Sequence, residues 1–426
     1  MRIYPLMILA LLGCVTGALA STDVPPARMD LRVFVTLKVE VTRALTPQAL
    51  PVQAPLPPPP GAPDEERAME RIRALAPVLS STAQDMQRRI ETIHIIAVQG
   101  MAGPVARELA VQAVGQCLTN TNHGEPVQLA AVQALQQIGG GSRSAPQTIA
   151  RVLSGTANPI PVRLAAINAL GVITRPETLP DTLAALERVA QNTNHGEEVQ
   201  NATVDALGWI ARCQPAAVEL LSRWLQNTSR PLATRRRVVA TMLSIEDPAA
   251  RAAAVAGLTQ VLLNTNHAEE LQLAAVEAIA FLGRFNSPAL SAFARVLSGT
   301  QNPIAVRLAI LRVISAAPPE NALETVQVAA AVLRNYNHGE QVQVAAVQTI
   351  AAVGAACPDA AVAALGECLR GTSFAMATRA AALQTLARVG HGIRLAEQIV
   401  EAVVNDRSHS DSIRQLAQTV LTQLYQ

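Results

Sequence analysis

The sequence has few aromatic residues, which make up only 2% of its 426 residues, although 50% of the residues are hydrophobic. A core built without aromatic side chains must come mainly from Ala, Val, Leu and Ile. Alanine has the highest helix propensity, and its small side chain lets neighbouring helices approach closely. The composition therefore favours closely packed helices, in a chain too long for one ordinary core unless it is elongated or modular.

Net charge is nearly absent as well. The chain carries 34 basic and 32 acidic residues, a formal net charge of +2, and Lys38 is its only lysine. Binding to nucleic acid rests on clustered Lys and Arg residues that neutralise phosphates. The balanced charge therefore gives no reason to expect a nucleic-acid partner.

Cysteine is scarce, with five residues in the whole chain. Four of them lie in the repeated helical pattern described below, at positions that place no two of them close together: Cys117, Cys213, Cys357 and Cys368. A disulfide needs Cα atoms within about 7 Å of each other. We therefore expect four buried free thiols.

Long apolar runs are confined to the first twenty residues, MRIYPLMILALLGCVTGALA. Arg2, the apolar run that follows and the small residues at 18–20 are typical of a signal peptide, and the run is too short to span a bilayer, which needs about 20 apolar residues. Residues 11–14 also resemble a lipobox, in which Cys14 would carry lipid; an uncleaved anchor is a third interpretation. All three interpretations imply export to the periplasm or cell envelope, and in the lipidated form the protein would be anchored to the outer membrane. No other segment is apolar and long enough to cross a membrane.

Residues 21–46 form an N-terminal arm, and residues 47–63 a Pro-rich linker. Within the arm, 31–41 (LRVFVTLKVEV) alternates apolar and other residues, which predicts a half-buried strand. A lone strand must pair with another sheet edge, in a partner or a second copy. The alternative is that it lies along the helical domain or has no regular structure. The proline density of the linker favours extended polyproline II.

From residue 64 onward the pattern is helical. Residues 64–103 predict a degenerate helical cap, with helices at 64–75 and 81–98 on either side of Pro77. A polar turn then recurs nine times at spacings of 34 to 37 residues, at Asn120, Gly155, Asn192, Asn227, Asn264, Gly299, Asn335, Gly371 and Asn405. A period in this range with two helices per unit predicts an α-solenoid over 104–426.

The repeats resemble the HEAT-repeat family. GTANPIPVRLAAINALGVI (155–173) and GTQNPIAVRLAILRVI (299–314) contain its polar turn, Val-Arg, Ala and Leu positions. The resemblance implies an all-α solenoid of about nine to ten two-helix repeats, in which the second helices line the concave side.

Alternate repeats differ at one position. The residue after the turn's apolar position alternates strictly between Gln and Arg, at Gln128, Arg163, Gln200, Arg235, Gln272, Arg307, Gln343 and Arg379. The structural unit is therefore about 72 residues and four helices. We expect Arg163, Arg235, Arg307 and Arg379 to form a ladder that reaches the carbonyl or Asn groups of the adjacent turn and ties the repeats together.

The turns before the Gln residues share the phrase NTNHGE or a close variant, beginning at 120, 192, 264 and 335. Packed helices lie about 8–10 Å apart, whereas zinc needs three or four ligands at about 2.0–2.3 Å. We therefore expect neither a metal site nor a cofactor.

The Asn and Glu residues of the phrase fit a capping box, at Asn122/Glu125, Asn194/Glu197, Asn266/Glu269 and Asn337/Glu340. Capping does not explain His123, His195, His267 and His338, expected as a row of partly exposed imidazoles.

Two positions of the second helices are candidates for partner binding. One carries Gln133, Asp205, Glu277 and Arg312, and the other carries Trp209 and Phe281 at the same register two repeats apart. Exposed aromatic residues are favoured anchors for protein partners, although both could instead pack on the next helix.

No catalytic motif is present. The sequence thus predicts a non-enzymatic, protein-binding scaffold of the bacterial cell envelope. A lyase-type or enzyme-accessory module, and a carrier of a peptide or glycan in the concave groove, stay open as alternatives.

Overall fold

The computed structural model describes residues 65–119 and 121–426. Every described residue belongs to one compact unit, Pro58–Gln426. The predicted signal peptide, Cys14, the strand and the linker lie outside the described residues and stay predictions.

Helices account for nearly all regular structure in the described part of the chain, which contains no strand. Their bounds are α1 Glu65–Ser80, α2 Met86–Gly100, α3 Pro104–Thr119, α4 Glu125–Gly139, α5 Ala145–Ala150, α6 Ile160–Ile173, α7 Leu179–Gln191, α8 Glu197–Ala211, α9 Pro215–Gln226, α10 Leu232–Met242, α11 Pro248–Leu263, α12 Glu269–Gly283, α13 Ser287–Leu297, α14 Ile304–Ile314, α15 Ala322–Leu333, α16 Glu340–Val353, α17 Pro358–Leu369, α18 Met376–Val389, α19 Arg394–Asn405 and α20 Asp411–Leu424. Among these, no helix has the length and apolar character needed to cross a membrane.

The helices form ten consecutive pairs, α1/α2 to α19/α20, each of which is one repeat. We call the first helix of a pair the A helix and the second the B helix. A helices pack on the A helices of neighbouring repeats, and B helices on B helices, from α1 on α3 to α18 on α20. The described unit is thus a two-layer α-solenoid, the fold class that the sequence predicts.

One continuous apolar core runs between the layers from Ala68 to Leu424. Small residues let the helices approach closely: a Cβ atom on Gly208 of α8 would lie 2.0 Å from Cγ2 of Thr241 in the next repeat. Since real Cβ atoms do not approach other atoms so closely, these two repeats fix each other's separation. The interior is packed tightly enough that an added methylene would be destabilising.

The predicted break of the first helix at Pro77 is wrong. Helix α1 continues through Pro77 to Ser80. Proline removes one backbone donor, but Pro77 lies in the last turn, where a single intrahelical hydrogen bond is lost. Burial of Leu79 in the core fixes that turn in place.

Candidate functional site

Five arginines on B helices each contact a histidine in the turn of the next repeat. In every pair the Arg Nη1 atom lies 2.7 to 3.0 Å from the His Nδ1 atom: Arg89–His123, Arg163–His195, Arg235–His267, Arg307–His338 and Arg379–His409. The arginines are 5–8% exposed and the histidines 1–4% exposed. The phrase NTNHGE therefore supplies a buried joint at every second interface between repeats.

The arginine also binds backbone oxygens on both sides of the joint. In the third repeat, Arg163 Nη1 donates to the carbonyl of His195 at 3.0 Å, and its Nε donates to the carbonyl of Asn158 at 3.0 Å. Arg307 makes the same contacts with His338 and Asn302, at 3.0 and 3.2 Å. The guanidinium groups of Arg163 and Arg307 are thus shared between their own turn and the following one.

The histidines in these joints are neutral acceptors. An arginine side chain only donates hydrogen bonds, so the Nδ1 atom of its partner must accept, which leaves the proton on Nε2. Burial, assisted by the nearby arginine charge, lowers the pKa below the ordinary value of 6.5, at His123, His195, His267 and His338. The expectation of partly exposed imidazoles is wrong, because each ring is buried against the arginine of the preceding repeat.

The intervening interfaces use amide groups. Gln128 Nε2 donates to Asn158 Oδ1 at 3.0 Å, and Asn158 Nδ2 donates to the carbonyl of Val152 at 3.0 Å. Gln272 and Gln343 donate to carbonyls of the turns that precede their own helices, at 3.2 and 2.8 Å. The Arg positions of the alternation therefore form Arg–His joints, whereas of the glutamines Gln128 alone pairs with an amide of the next repeat.

The capping-box prediction is wrong for all four turns. The B helices begin at Glu125, Glu197, Glu269 and Glu340 themselves, and the preceding Gly or Ala at the N-cap forms no side-chain capping bond. Asn122, Asn194, Asn266 and Asn337 lie two residues before the N-cap, because the chain makes an extra turn at the His. The glutamates still lie at helix N-termini, where the helix dipole favours a carboxylate.

The first Asn of the phrase stabilises the turn instead. The Oδ1 atoms of Asn192, Asn264 and Asn335 accept the backbone N–H two residues later, at 3.0 to 3.1 Å. This is an Asx turn. Glycine then supplies the change of direction, with φ of 84° at Gly196; the copy with Ala268 has φ −58° there.

The fifth repeat departs from both patterns. Arg230 occupies the position that His or Asn holds elsewhere, stacks 4.0 Å from the ring centroid of Trp224, and donates to Gln200 Oε1 at 3.3 Å and to the carbonyl of Ala190. Salt bridges join this repeat to both neighbours: Arg237–Asp205, Arg212–Glu246, Arg223–Glu187 and Arg236–Glu270. An arginine thus replaces the Asn partner of Gln200 on the fourth-repeat side, whereas Arg235 keeps the regular joint with His267.

The polar candidates for partner binding lie on the outer side of the B helices. Gln133 and Arg312 are exposed, whereas Asp205 and Glu277 are half-buried. Both Asp205 oxygens accept from Arg237, at 2.8 and 2.6 Å. Burial raises the pKa of Glu277, and Arg312 opposes that shift. Asp205 therefore has a structural role inside the chain.

The aromatic candidates lie on this same side. Trp209 in α8 is 45% exposed and Phe281 in α12 is 38% exposed. The equivalent position in the repeat between them, two residues after the end of α10, holds Ser244. The guanidinium of Arg212 lies 5.2 Å from the Trp209 ring centroid. Two large apolar surfaces therefore stand on one side of the stack, separated by a repeat with a small residue.

Trp209 also forms one wall of a cleft of about 200 Å³ between the ends of α6 and α8. Val172, Pro176, Leu179 and Ile210 contribute further apolar surface, and Arg175 and Cys213 line the cleft as well. A shallower depression of about 450 Å³ crosses α14, α16 and α18 near Gln348.

The cysteines in the described residues are free thiols. Burial raises the pKa of Cys117 to about 11 and that of Cys368 to about 12. Cys357 is half-buried and Cys213 is exposed, so the expectation of four buried thiols is wrong for these two. Both residues lie in the connection between a B helix and the following A helix, where the side chains are less covered. Within residues 65–119 and 121–426, no three His, Cys, Asp or Glu side chains converge on a common metal position.

Sequence reasoning missed the first and last members of the ladder, Arg89 and His409. Both were detectable by spacing, since Arg89 lies 34 residues before His123 and His409 lies 71 residues after His338. It also missed that Asn158 matches the His position of the neighbouring turns, a signal visible once the turns are aligned on the residue before Gly or Pro.

Comparisons with known proteins agree with the repeat architecture. A profile of HEAT repeats matches residues 151–244. A comparison with curated proteins finds no significant match. A chain from a homology model of the full-length AP-3 complex is 9% identical at a TM-score of 0.31, covering 98% of this chain and 99% of its own. A chain from a structure of Kap95p with RanGDP is 12% identical at a TM-score of 0.24, covering 100% of this chain and 71% of its own. Scores this low add nothing to the fold already described. The segment 151–244 thus matches HEAT repeats, and the same two-helix architecture continues through all ten stacked pairs of the described residues.

Proposed function

We propose that the chain is a non-enzymatic scaffold that binds another protein through the exposed side of its B helices around Trp209 and Phe281. The observation that carries the proposal is the exposure of these two aromatics at one register of the stack. Exposed aromatic residues contribute much of the binding energy at protein interfaces. In a chain with so few aromatics, both would be expected in the core if packing alone placed them.

The repeated polar residues support a structural use of the turns over a catalytic one. The His–Arg joints are buried between repeats, so their imidazoles are occupied by internal hydrogen bonds. A carrier of glycan or peptide would be favoured by a continuous groove lined by polar and aromatic residues. Trp209 and Phe281 are not among the residues that line the depression near Gln348, so the scaffold is the better supported proposal.

The site of action that we propose is the bacterial cell envelope. Residues 1–20 carry the features of a signal peptide. The intact mass of the mature protein tests this directly. Cleavage gives a chain that begins at Ser21, whereas lipidation gives one that begins at Cys14 with added acyl mass. A mass that retains Met1 to Ala20 contradicts both.

The scaffold proposal is tested by chemical cross-linking and mass spectrometry on native cells that express the full chain. We expect a partner that cross-links to the wild-type protein and is lost from the double variant Trp209→Ala/Phe281→Ala. Leu323→Ala is the matched control, because Leu323 is an A-helix residue that is 52% exposed. Equal cross-linking of the wild type and the double variant would overturn the proposal.

A further inference from the structure

The cleft beside Trp209 combines apolar walls with a single charge. Val172 is 59% exposed and Trp209 is 45% exposed, and Ile210 closes the wall between them. The residues that line the cleft include one charged side chain, that of Arg175, and no carboxylate. The lining therefore suits an apolar group accompanied by a negative charge.

The charge on Arg175 is not used inside the described part of the chain. Its guanidinium makes no hydrogen bond or ion pair there, although its backbone N–H and carbonyl both bond to Thr178. The nearby Arg212 differs, because it forms a salt bridge with Glu246 at 2.7 Å and stacks on Trp209. An incoming carboxylate would find Arg175 already available.

The size of the cleft indicates what can enter it. Pockets for drug-sized ligands enclose about 300–1,000 Å³, whereas this cleft encloses about 200 Å³ and is open to solvent. That space accommodates one large side chain. Anchor side chains of this kind, seated in a small pocket, are what protein partners present to each other.

We propose that this cleft binds an acidic–apolar segment of a protein partner, with a large apolar side chain against Trp209 and a neighbouring Asp or Glu carboxylate on Arg175. The inference rests on the proposed scaffold function and specifies the chemistry of the partner. Carboxylate recognition by arginine is geometrically specific, because its planar fork donates two parallel hydrogen bonds. The segment is internal to the partner's chain, so a free C-terminus is not required.

Selection from a random nonapeptide library tests this chemistry. The peptides are displayed as fusions with no free carboxyl terminus, and the full-length protein is the target. We expect enrichment of Asp or Glu within two positions of Leu, Phe, Trp or Ile. Selection on Arg175→Glu should exchange the acidic preference for Lys or Arg. Arg388→Glu is the matched control, because Arg388 is an exposed arginine on a distant B helix, and it should leave the preference unchanged.

The position of the bound peptide is read from Cys213, the exposed thiol at the cleft. A selected peptide, synthesised with blocked ends, should slow alkylation of Cys213 at least fivefold and leave Cys357 unaffected, as resolved by peptide mass spectrometry. Trp209→Ala should weaken its binding about 30-fold, the loss typical of an interface hot spot.

Three outcomes overturn the inference: no acidic–apolar enrichment, enrichment that Arg175→Glu does not alter, or a peptide that leaves Cys213 alkylation unchanged. If native cross-links disappear in Trp209→Ala/Phe281→Ala but persist in Arg175→Glu, the scaffold function stands and the acidic–apolar partner fails. If peptides bind the cleft while native cross-links survive the double variant, the scaffold function fails alone.

Discussion

A buried guanidinium takes at one interface the place that a buried amide takes at the next. The two side chains occupy equivalent helix positions, but they differ in the cost of burial. A buried charge needs good geometry and several partners to offset its desolvation, and Arg163 and Arg307 find these in a His ring and in backbone oxygens. The residue on the B helix and its partner in the next turn therefore depend on each other, and neither can be exchanged alone.

The first prediction exchanges one kind of joint for the other. Arg163→Gln should destabilise the chain by about 2 kcal/mol, because it leaves buried acceptors of His195 without a donor. Adding His195→Asn should recover at least half of that loss, since Gln128 and Asn158 already form this pair at 3.0 Å. Urea unfolding of the two variants and the wild type measures the coupling. Strictly additive losses would contradict the paired role.

At the scale of the residue, the sequence predicted the arginine of each joint but not its histidine partner. Strict alternation at Gln128 and Arg163 was sufficient to infer an arginine ladder between repeats. The partner was not predictable, because the position of His195 depends on an extra turn before the helix and on φ of 84° at Gly196. The same extra turn invalidated the capping box, which assumed that Asn194 stands directly before the helix.

At the scale of the helix pair, acid should loosen every second interface. The unfolded chain takes up protons at its histidines as pH falls below about 6.5, whereas burial and the arginines lower the pKa of His123, His195, His267 and His338 in the folded chain. The unfolded state then binds more protons than the native state. Stability is therefore full above pH 6.5 and falls as pH decreases below that value.

The second prediction is the slope of that loss. Each of these histidines can add at most about 1.4 kcal/mol per pH unit to the slope of the unfolding free energy. Urea unfolding between pH 7.5 and 5 should show the decline, and Arg163→Gln/His195→Asn should decline less steeply than the wild type by up to one such increment. Identical slopes for the two proteins would show that the joint does not exclude protons.

The third prediction concerns the fifth repeat, where salt bridges join its helices to those of its neighbours. The Arg237–Asp205 pair is about one-third exposed, and pairs of this kind contribute about 0.5–1 kcal/mol. Arg237→Ala should cost that amount in dilute buffer and less in 1 M salt, where charges are screened over about 3 Å. Arg370→Ala, which removes an exposed pair at the end of α17, should change the unfolding free energy little. A salt-independent loss would contradict an electrostatic role.

Whole helices were more predictable than their ends. The turn spacing placed nine of the ten repeats, and the degenerate cap at 64–103 proved to be α1 and α2. The extension of α1 beyond Pro77 was not predictable from local propensity, since it depends on burial of Leu79 against other helices. The exposure of Trp209 was likewise undecided by the sequence, because register alone does not show how far a neighbouring helix covers a ring.

At the scale of the molecule, each repeat contacts its sequence neighbours, so stability approximates a sum of repeats and nearest-neighbour interfaces. The alternation then makes two repeats the smallest exchangeable unit. The fourth prediction tests this two-repeat unit. Deleting residues 192–263 joins α7 to the turn that contains His267, so that Arg163 again meets a histidine. This chain should fold and unfold cooperatively.

The matched deletion removes one repeat. Without residues 192–226, α7 is followed by the turn that contains Arg230, so Arg163 meets a buried arginine. An unpaired buried charge costs about 3–5 kcal/mol, and circular dichroism should show a much lower melting temperature than that of the 72-residue deletion. Equal melting temperatures would show that repeats combine without regard to the joint.

The central claim is that the exposed side of the B helices, around Trp209 and Phe281, is where the protein binds its partner. Site-specific photo-cross-linking in native cells tests it most directly, with a photoreactive phenylalanine placed in turn at positions 209, 281 and 323 of the full chain. We predict that the same protein is captured from positions 209 and 281 and not from 323. Capture from position 323 alone, or no capture from the two B-helix positions, would contradict the account.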